Sequence, residues 1–344
     1  MTTYKSTVIS RGRIFLSSSG ILGIVLLGGI GLSDWAFPYD EDGHFYTAVT
    51  IQHNHRPPFD DSARDQAVLL AFCTQLPDLA KEFEAVTLRV GVLGSIRGSA
   101  WGAFNFCWGD AVCHMVTAHH YLHALTDTDA ERVTDAAVST LKKLLRTETN
   151  GPRLDPNRIC AAGFAVHLLG DSFAHRRLND PSRMYAPGLG HFRDDHNPDF
   201  ILYNADGKDR TGLWLSYAQK LRDTLRITLE KNQWNALNTI VKLHLKGATK
   251  DNNFNEAALM AALKEGTEDH ANIWAPYQPP VEALYAKEGW WERHVLHRSC
   301  EEVVKMYQPP GSTELDCNKI WEIYKTAVIP EFKVHQIPSQ CRPV

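Results

Sequence analysis

The chain has 344 residues, of which 44% are hydrophobic, so it is long enough to bury a substantial core and does not have the composition of a disordered protein. Its formal net charge is -4 at pH 7, which argues against a surface that neutralises many phosphates of a nucleic-acid duplex. We therefore expect a globular protein that does not bind duplex nucleic acid.

Residues 1–33 have the pattern of a targeting segment. Three basic residues come first: Lys5, Arg11 and Arg13. An uncharged run at 14–32 follows, whose densest part is about as long as the apolar region of a signal peptide. We expect export to the periplasm or the exterior. The alternative is a retained anchor, because the run approaches the roughly 20 residues that a membrane helix needs.

Residues 34–344 contain no internal repeat and no tract long enough to be a linker, so we predict one domain there. Apolar residues recur at helical spacing in most of it, which predicts helices. The predicted helices cover 63–83, 111–125, 129–145, 156–178, 213–246, 255–265, 281–286 and 290–307. Alternating, strand-like runs are scarce, with one short irregular or β element expected near 200–203. The predicted fold class is all-α.

Seven cysteines show no C-x-x-C pair and no metal-finger spacing, so they are poor candidates for zinc ligands. In an oxidising compartment some of them would form disulfides. We expect one bridge between Cys107 and Cys113, and another between two of Cys300, Cys317 and Cys341.

Histidine is unusually frequent, with 16 in the chain and 11 of them before residue 200. The most informative of them lie in 166–175. His167, Asp171 and His175 are spaced four apart, so on a helix they form one polar stripe among apolar neighbours. Burying an unpaired carboxylate costs several kcal/mol, so a stripe that faces the interior needs a compensating cation. The alternative is a solvated face, or an Asp–His pair satisfied by its neighbours.

Other segments carry potential ligands at similar spacing. His191 and Asp195 are four apart and could close on one ion. His119, His120 and His123 offer helical pairs three and four apart, of which at most one or two members can face a given site. The others would be surface histidines.

Two further residues are candidate ligands only in combination with the histidine and aspartate pairs described above. Asp78 follows Gln75-Leu76-Pro77 at the end of an apolar run, and His44 follows Asp42-Gly43 shortly after the targeting segment. Imidazole and carboxylate together are ligands typical of zinc.

The segment His167-Leu168-Leu169-Gly170-Asp171 resembles the H-x-x-G-D core of the bacterial zinc-dependent phospholipases C and the related single-strand-specific zinc nucleases, whose helical fold holds three zinc ions. The chain is also similar to a larger group of bacterial proteins with a D-x-H-[FY]-Y start, an aspartate after an apolar helix, and an H-[FY]-L segment. Here these read Asp42-Gly43-His44-Phe45-Tyr46, Gln75-Leu76-Pro77-Asp78 and His120-Tyr121-Leu122. Their order and approximate spacing agree over residues 42–199.

This resemblance implies two or three zinc ions with particular ligands. One zinc would be bound by Asp78, His120, His167 and Asp171. Asp171 would bridge to a second zinc, which His44 binds. The third would be bound by His175, His191 and Asp195. Because His175 lies about two residues closer to the G-D pair than its counterpart in the phospholipases, the third site is either rearranged or lost. The phospholipases complete the second zinc with an N-terminal tryptophan, for which Trp35 and Asp42 are candidates here.

The resemblance also implies the activity. We expect a zinc-dependent, phospholipase C-like hydrolase of phosphate esters, with Asp78 and Asp171 as catalytic residues and Arg176 and Arg193 near the substrate phosphate. Its partners would be a phospholipid or another phosphodiester and a membrane surface. Two alternatives stay open: a single-strand-specific nuclease, and a non-catalytic, zinc-stabilised binding protein that is exported or anchored to a membrane.

Overall fold

A computed structural model describes ten stretches of the chain. They are 44–45, 47–48, 51–52, 61–80, 82–83, 121–124, 129–146, 154–184, 209–227 and 298–332. All of them belong to the unit Ala36–Val344. The predicted targeting segment lies outside these residues, as do the predicted elements at 200–203, 255–265 and 281–286. Among the helices that are described, none is long and apolar enough to cross a membrane.

The described part of the chain is mostly helical, which confirms the predicted class at that level. Its seven helices are α1 Asp61–Cys73, α2 Leu76–Leu79, α3 Ala130–Leu145, α4 Pro156–Ala174, α5 Thr211–Thr224, α6 Cys300–Tyr307 and α7 Cys317–Val328. Two short 3-10 helices are Ser312–Glu314 and Ile329–Phe332. A small antiparallel hairpin pairs β1 Arg176–Arg177 with β2 Asp180–Met184.

Helix α4 is the centre of the fold. It packs against α1, α3, α5 and α7, and almost all of its residues are buried. Its start is well defined, because Asp155 accepts a hydrogen bond from the backbone N–H of Asn157 and Pro156 stands in the first turn. A helix that is covered on every side can place polar side chains in the interior wherever its sequence changes from apolar to polar.

Three predicted helices end or break earlier than their apolar pattern suggests. The predicted helix 213–246 ends at Thr224, shortly before Arg226, which has a φ of 56°. The predicted helix 63–83 breaks after Cys73, and α2 begins again at Leu76 with Pro77 in its first turn, a position where the missing N–H costs nothing. The predicted helix 156–178 ends at Ala174, where the chain turns into the hairpin. The breaks after Cys73 and Ala174 lie beside residues of the candidate site.

The C-terminal part contains a helix that the sequence analysis did not predict. Asp316 accepts a hydrogen bond from the backbone N–H of Lys319 and caps α7. The buried residues of α7 recur at helical spacing: Cys317, Ile320, Trp321, Tyr324, Ala327 and Val328. The preceding helix, predicted from residue 290, starts at Cys300 with Ser299 and Glu302 forming a capping box. Residues 290–297 of this predicted helix lie outside the described stretches.

Two disulfides are present among the described cysteines. Cys300 is joined to Cys317, which confirms that two of the three C-terminal cysteines pair. Cys73 is joined to Cys160 and links the end of α1 to α4, a bridge that the sequence analysis did not predict. Cys107, Cys113 and Cys341 lie outside the described residues.

Candidate metal centre

Five titratable side chains meet in the interior beside the second half of α4. His167 and Asp171 come from α4 itself, one turn apart, and Asp78 comes from α2. His44 is itself in a helical conformation, and His123 follows the helical residue Tyr121. All five side chains are buried. Such a concentration of buried ionisable groups is stable only if the charges are paired or bind a cation.

The ligand atoms are spaced as they would be around one small cation. His167 Nε2 lies 3.2 Å from Asp171 Oδ2 and 3.2 Å from His123 Nδ1. His123 Nδ1 lies 3.6 Å from Asp171 Oδ2 and 3.5 Å from Asp78 Oδ1. Around a tetrahedral zinc with bonds of about 2.0–2.1 Å, neighbouring ligand atoms are about 3.3–3.4 Å apart. The three shortest separations bracket that value.

Backbone carbonyls fix the orientation of both imidazoles. His167 Nδ1 lies 2.9 Å from the carbonyl oxygen of Thr74, and His123 Nε2 lies 3.0 Å from that of Phe83. Because a carbonyl can only accept, each of these nitrogens is the donor. The opposite nitrogens, His167 Nε2 and His123 Nδ1, then point at the carboxylates. A second hydrogen bond of this kind is typical of histidines that bind metals.

The charge states of His167 and Asp171 fit a cation between them. Burial, the largest effect, lowers the pKa of His167 to about 4, so Nε2 carries a lone pair at neutral pH. Burial raises the pKa of Asp171, but the neighbouring imidazoles of His167, His123 and His44 outweigh it and hold that pKa well below its usual range. The carboxylate of Asp171 is therefore stabilised by positive charge close to it, which a protonated imidazole or a cation bound between His167 and Asp171 would supply.

The two oxygens of Asp171 face different neighbours. Oδ2 is directed at His167 and His123, whereas Oδ1 lies 3.1 Å from Nε2 of His44. Two overlapping groups could each hold a metal ion: Asp78, His123 and His167, and His44, His167 and Asp171. His167 is common to both groups, and Asp171 approaches histidines of both, with Oδ2 near His167 and His123 and Oδ1 near His44.

Gly170 makes room for His44. A Cβ atom at this position would lie 2.5 Å from Cε1 and 2.6 Å from Nδ1 of the His44 ring, closer than such atoms approach. Helix α5 holds the His44 stretch from the other side, since Trp214 Nε1 donates to Thr47 Oγ1 at 3.1 Å and the Tyr217 ring lies beside His44. The glycine in H-L-L-G-D is thus explained by a close approach between a helix backbone and a candidate ligand.

The structure brings together four of the eight residues predicted as metal ligands: His44, Asp78, His167 and Asp171. His123, which the sequence offered as one of several helical choices, is the fifth member. Its predicted rival His120 lies outside the described residues, so that prediction stays open.

The residues predicted for a third metal ion are only partly described. His175 is buried at the C-terminal cap of α4, where its backbone N–H donates to the carbonyl of Asp171, and it belongs to neither candidate group. His191, Asp195 and the predicted phosphate ligand Arg193 lie outside the described stretches. The third site therefore remains a prediction.

Arg176 is engaged within the fold. Its guanidinium donates to Glu131 Oε1 at 2.7 Å and to Thr134 Oγ1 at 2.8 Å, and its Nε donates to the carbonyl of Ser172 at 3.0 Å. It also lies over the ring of Phe173, 4.4 Å from the centroid. These contacts tie α3 to the end of α4, and the contact of Arg176 with phosphate remains a prediction.

Comparisons with protein-family models, with curated proteins and with solved structures gave no match. The functional interpretation therefore depends on the geometry of the centre and on the motif resemblance. The geometry by itself supports buried His/Asp groups that could hold a metal ion.

Proposed function

We propose that the chain is a zinc-dependent hydrolase of phosphate esters. The observation that carries this proposal is the spacing of 3.2, 3.2 and 3.6 Å among one carboxylate oxygen and two imidazole nitrogens whose outer atoms are fixed by backbone carbonyls. Two imidazoles and two carboxylates form a donor set that zinc favours.

The first zinc ion would be held by Asp78, His123, His167 and Asp171. The second would be held by His44 and the other oxygen of Asp171, which leaves positions for water or substrate. Zinc bound in this way lowers the pKa of a bound water and polarises a phosphoryl oxygen.

The chain's own groups hold this centre in place. The carbonyls of Thr74 and Phe83 keep the two imidazoles in the tautomer that binds metal. Burial keeps bulk water from competing with the ligands. Asp171, whose two oxygens approach histidines of both groups, would couple the loading of one ion to the other.

Phosphate esters are proposed as substrates because of the resemblance over His44, Asp78 and H-L-L-G-D. A phospholipid headgroup would suit a phospholipase C-like enzyme at a membrane surface, and single-stranded nucleic acid would suit a nuclease of the same type. The two described disulfides are compatible with an oxidising compartment, which supports the proposal of an exported protein, secreted or anchored by residues 14–32.

A non-catalytic role is the second candidate. It is favoured by the burial of the four ligands proposed for the first zinc ion. Four protein ligands and little exposure are typical of a structural zinc site. In that case zinc would stabilise a binding protein, and only the His44 side of Asp171 would be left to bind anything else.

Two measurements test these proposals on the full chain. Elemental analysis of the purified protein should give about two zinc per chain, or three if the third site is intact. Hydrolysis of phosphatidylcholine and of single-stranded DNA should then be assayed with and without a chelator. Activity on one substrate that chelation abolishes and zinc restores supports the hydrolase. Bound zinc without either activity supports the binding protein, and the absence of bound metal after reconstitution would contradict both.

A further inference from the structure

Helix α7 reaches the segment that carries His123. The hydroxyl of the buried Tyr324 donates a hydrogen bond to the backbone carbonyl of Tyr121, two residues before His123. The ring of Tyr324 also packs edge-on against Phe164 of α4, with centroids 5.5 Å apart. One side chain of α7 therefore contacts both the helix that carries two candidate ligands and the segment that carries a third.

The second anchor of His123 also contacts α7. Phe83, whose carbonyl accepts from His123 Nε2, lies against Trp321 with ring centroids 5.7 Å apart. Trp321 and Tyr324 stack on each other on the same helix. The backbone on both sides of the His123 ring is therefore held by adjacent turns of α7.

The local backbone needs such support. Directly after His123, Ala124 has a φ of 49°, in the left-handed region that residues with a Cβ rarely adopt. A conformation of this kind persists only where the surrounding structure enforces it. The hydrogen bond from Tyr324 to the carbonyl of Tyr121, three residues before Ala124, is a contact of the kind that enforces it.

We infer that Tyr324 is a positioning residue of the metal centre, whose hydroxyl, through the carbonyl of Tyr121, sets the place of the His123 imidazole. This inference rests on the proposed function as far as metal binding is concerned, and it does not depend on the substrate. Tyr324 would contact neither the metal nor the substrate and would act only through Tyr121 and His123.

The hydroxyl is suited to this role because it stays protonated. Burial and the negative charge of Asp171 raise the pKa of Tyr324 well above its usual value. The phenol is thus a permanent donor, and Tyr324→Phe removes that donor while it keeps the ring that packs on Phe164.

The test compares Tyr324→Phe with Val328→Ala in the full chain. Val328 is buried one turn further along α7, so its truncation weakens the same helix without removing a hydrogen bond to Tyr121. Zinc affinity is measured by competition with a chelator. Tyr324→Phe should weaken zinc binding about 10- to 100-fold, the range for groups that orient metal ligands. Val328→Ala should stay within about twofold of the parent, a margin set by its lack of a hydrogen bond to any ligand segment.

Two further readouts separate positioning from a general loss of packing. The visible spectrum of the cobalt-substituted protein should change in Tyr324→Phe and not in Val328→Ala. In a His123→Ala background, where the positioned ligand is gone, Tyr324→Phe should cause no further loss of zinc affinity. Parent-like affinity in Tyr324→Phe, or an equal additional loss in the His123→Ala background, overturns the inference.

Hydrogen exchange on the unmutated chain tests the same link if Tyr324→Phe does not fold. Adding zinc should slow deuterium uptake in peptides over 317–328 as well as in those carrying His123. Unchanged uptake over 317–328 overturns the inference and leaves the proposed function standing. If the parent chain binds no zinc at all, the proposed function and this inference fail together.

Discussion

The two halves of helix α4 are buried to the same extent and differ in chemistry. From Ile159 to Val166 the buried residues are apolar or small, and they pack against neighbouring helices. From His167 to Ala174 the equally buried stretch includes an imidazole and a carboxylate. The apolar side chains of the first half gain free energy when they leave water, whereas the imidazole and the carboxylate of the second half lose it unless their charges are paired or bind a cation. The comparison shows that burial alone does not tell a structural segment from a functional one.

The largest effect on zinc binding is expected from removing the negative charge of Asp171 in the second half of α4. Asp171→Asn keeps the shape of the side chain but removes the carboxylate that faces both candidate groups. Bound zinc and any zinc-dependent hydrolysis should fall by about 10²-fold or more, at least as much as the loss of an orienting group. Elemental analysis and activity assays measure this, with circular dichroism as a check of the fold.

Asp155→Asn is the matched control at the other end of α4. Asparagine caps a helix as well as aspartate does, so zinc content should stay at the parent level. If both variants lost zinc equally, the two ends of the helix would not differ in function as described.

The next effect concerns the response of the metal-free protein to acid. The pKa of His167 is about 4 in the folded protein against 6.5 for an ordinary histidine, so between these values only the unfolded chain binds the proton. The free energy of unfolding should therefore fall as the pH drops from 6.5 to 4, by on the order of 3 kcal/mol. The lowered pKa of Asp171 adds a loss of the same sign at still lower pH.

Urea unfolding of chelator-treated protein at pH 7 and pH 4.5 measures this dependence. In His167→Gln, which does not titrate in this range, the difference between the two pH values should shrink. An unchanged difference would mean that other groups are responsible.

Two glycines of α4 allow a finer comparison. A Cβ at Gly163 would lie 2.6 Å from Cβ of Cys73 and 2.7 Å from the carbonyl oxygen of Leu70, whereas a Cβ at Gly170 would meet the His44 ring. Both alanine variants should lose about 1–3 kcal/mol of stability by overpacking. Only Gly170→Ala displaces a candidate ligand, so it should also weaken zinc binding.

The informative quantity for each glycine variant is its loss of zinc affinity relative to its loss of stability. Zinc affinity and urea midpoint should be measured for both glycine variants side by side. Equal loss of zinc affinity in Gly163→Ala and Gly170→Ala would show that general packing, and not the approach of His44, controls the centre.

The smallest effect is expected at the start of the apolar half. Asp155→Ala removes the cap of α4 and the contacts of Asp155 with Asn157 and Lys319. The stability should fall by about 1 kcal/mol, as for other lost N-caps, with zinc affinity unchanged. Thermal unfolding and the chelator competition check both parts, and weaker zinc binding would extend the metal centre to the far end of the helix.

Local patterns in the sequence predicted the part of the centre that one helix supplies. The spacing of His167 and Asp171, on a segment with the apolar content of a buried helix, was sufficient because residues four apart share a helix face. The beginning of α4 also followed from Pro156. Asp78 and His44 needed the motif resemblance, because nothing local shows that they approach Asp171.

The choice between His120 and His123 could not be made from spacing. It depends on where the helix ends, and Tyr121 is the last helical residue before a turn that closes on Ala124 with positive φ. A backbone conformation that tertiary contacts enforce leaves no trace in the local periodicity.

Long-range contacts explain what else the sequence did not predict. The bridge between Cys73 and Cys160 depends on how α1 packs against α4, for which Gly163 was an indirect sign. Helix α7 is different, because its apolar residues and its Asp316 cap follow the ordinary pattern of a helix and could have been found. Its contact with the ligand segment could not.

The bridge between Cys73 and Cys160 joins positions separated by 87 residues, and both Asp78 and His123 lie inside the loop that it closes. In the chain-entropy model, closing a loop of that size lowers the entropy of the unfolded chain by the equivalent of about 4–5 kcal/mol. The covalent bond thus tethers two of the four ligands proposed for the first ion to the helix that carries the other two before any metal binds. Oxidation would in this way preorganise the chelate, so the reduced chain should have to gather the same ligands at a greater entropic cost.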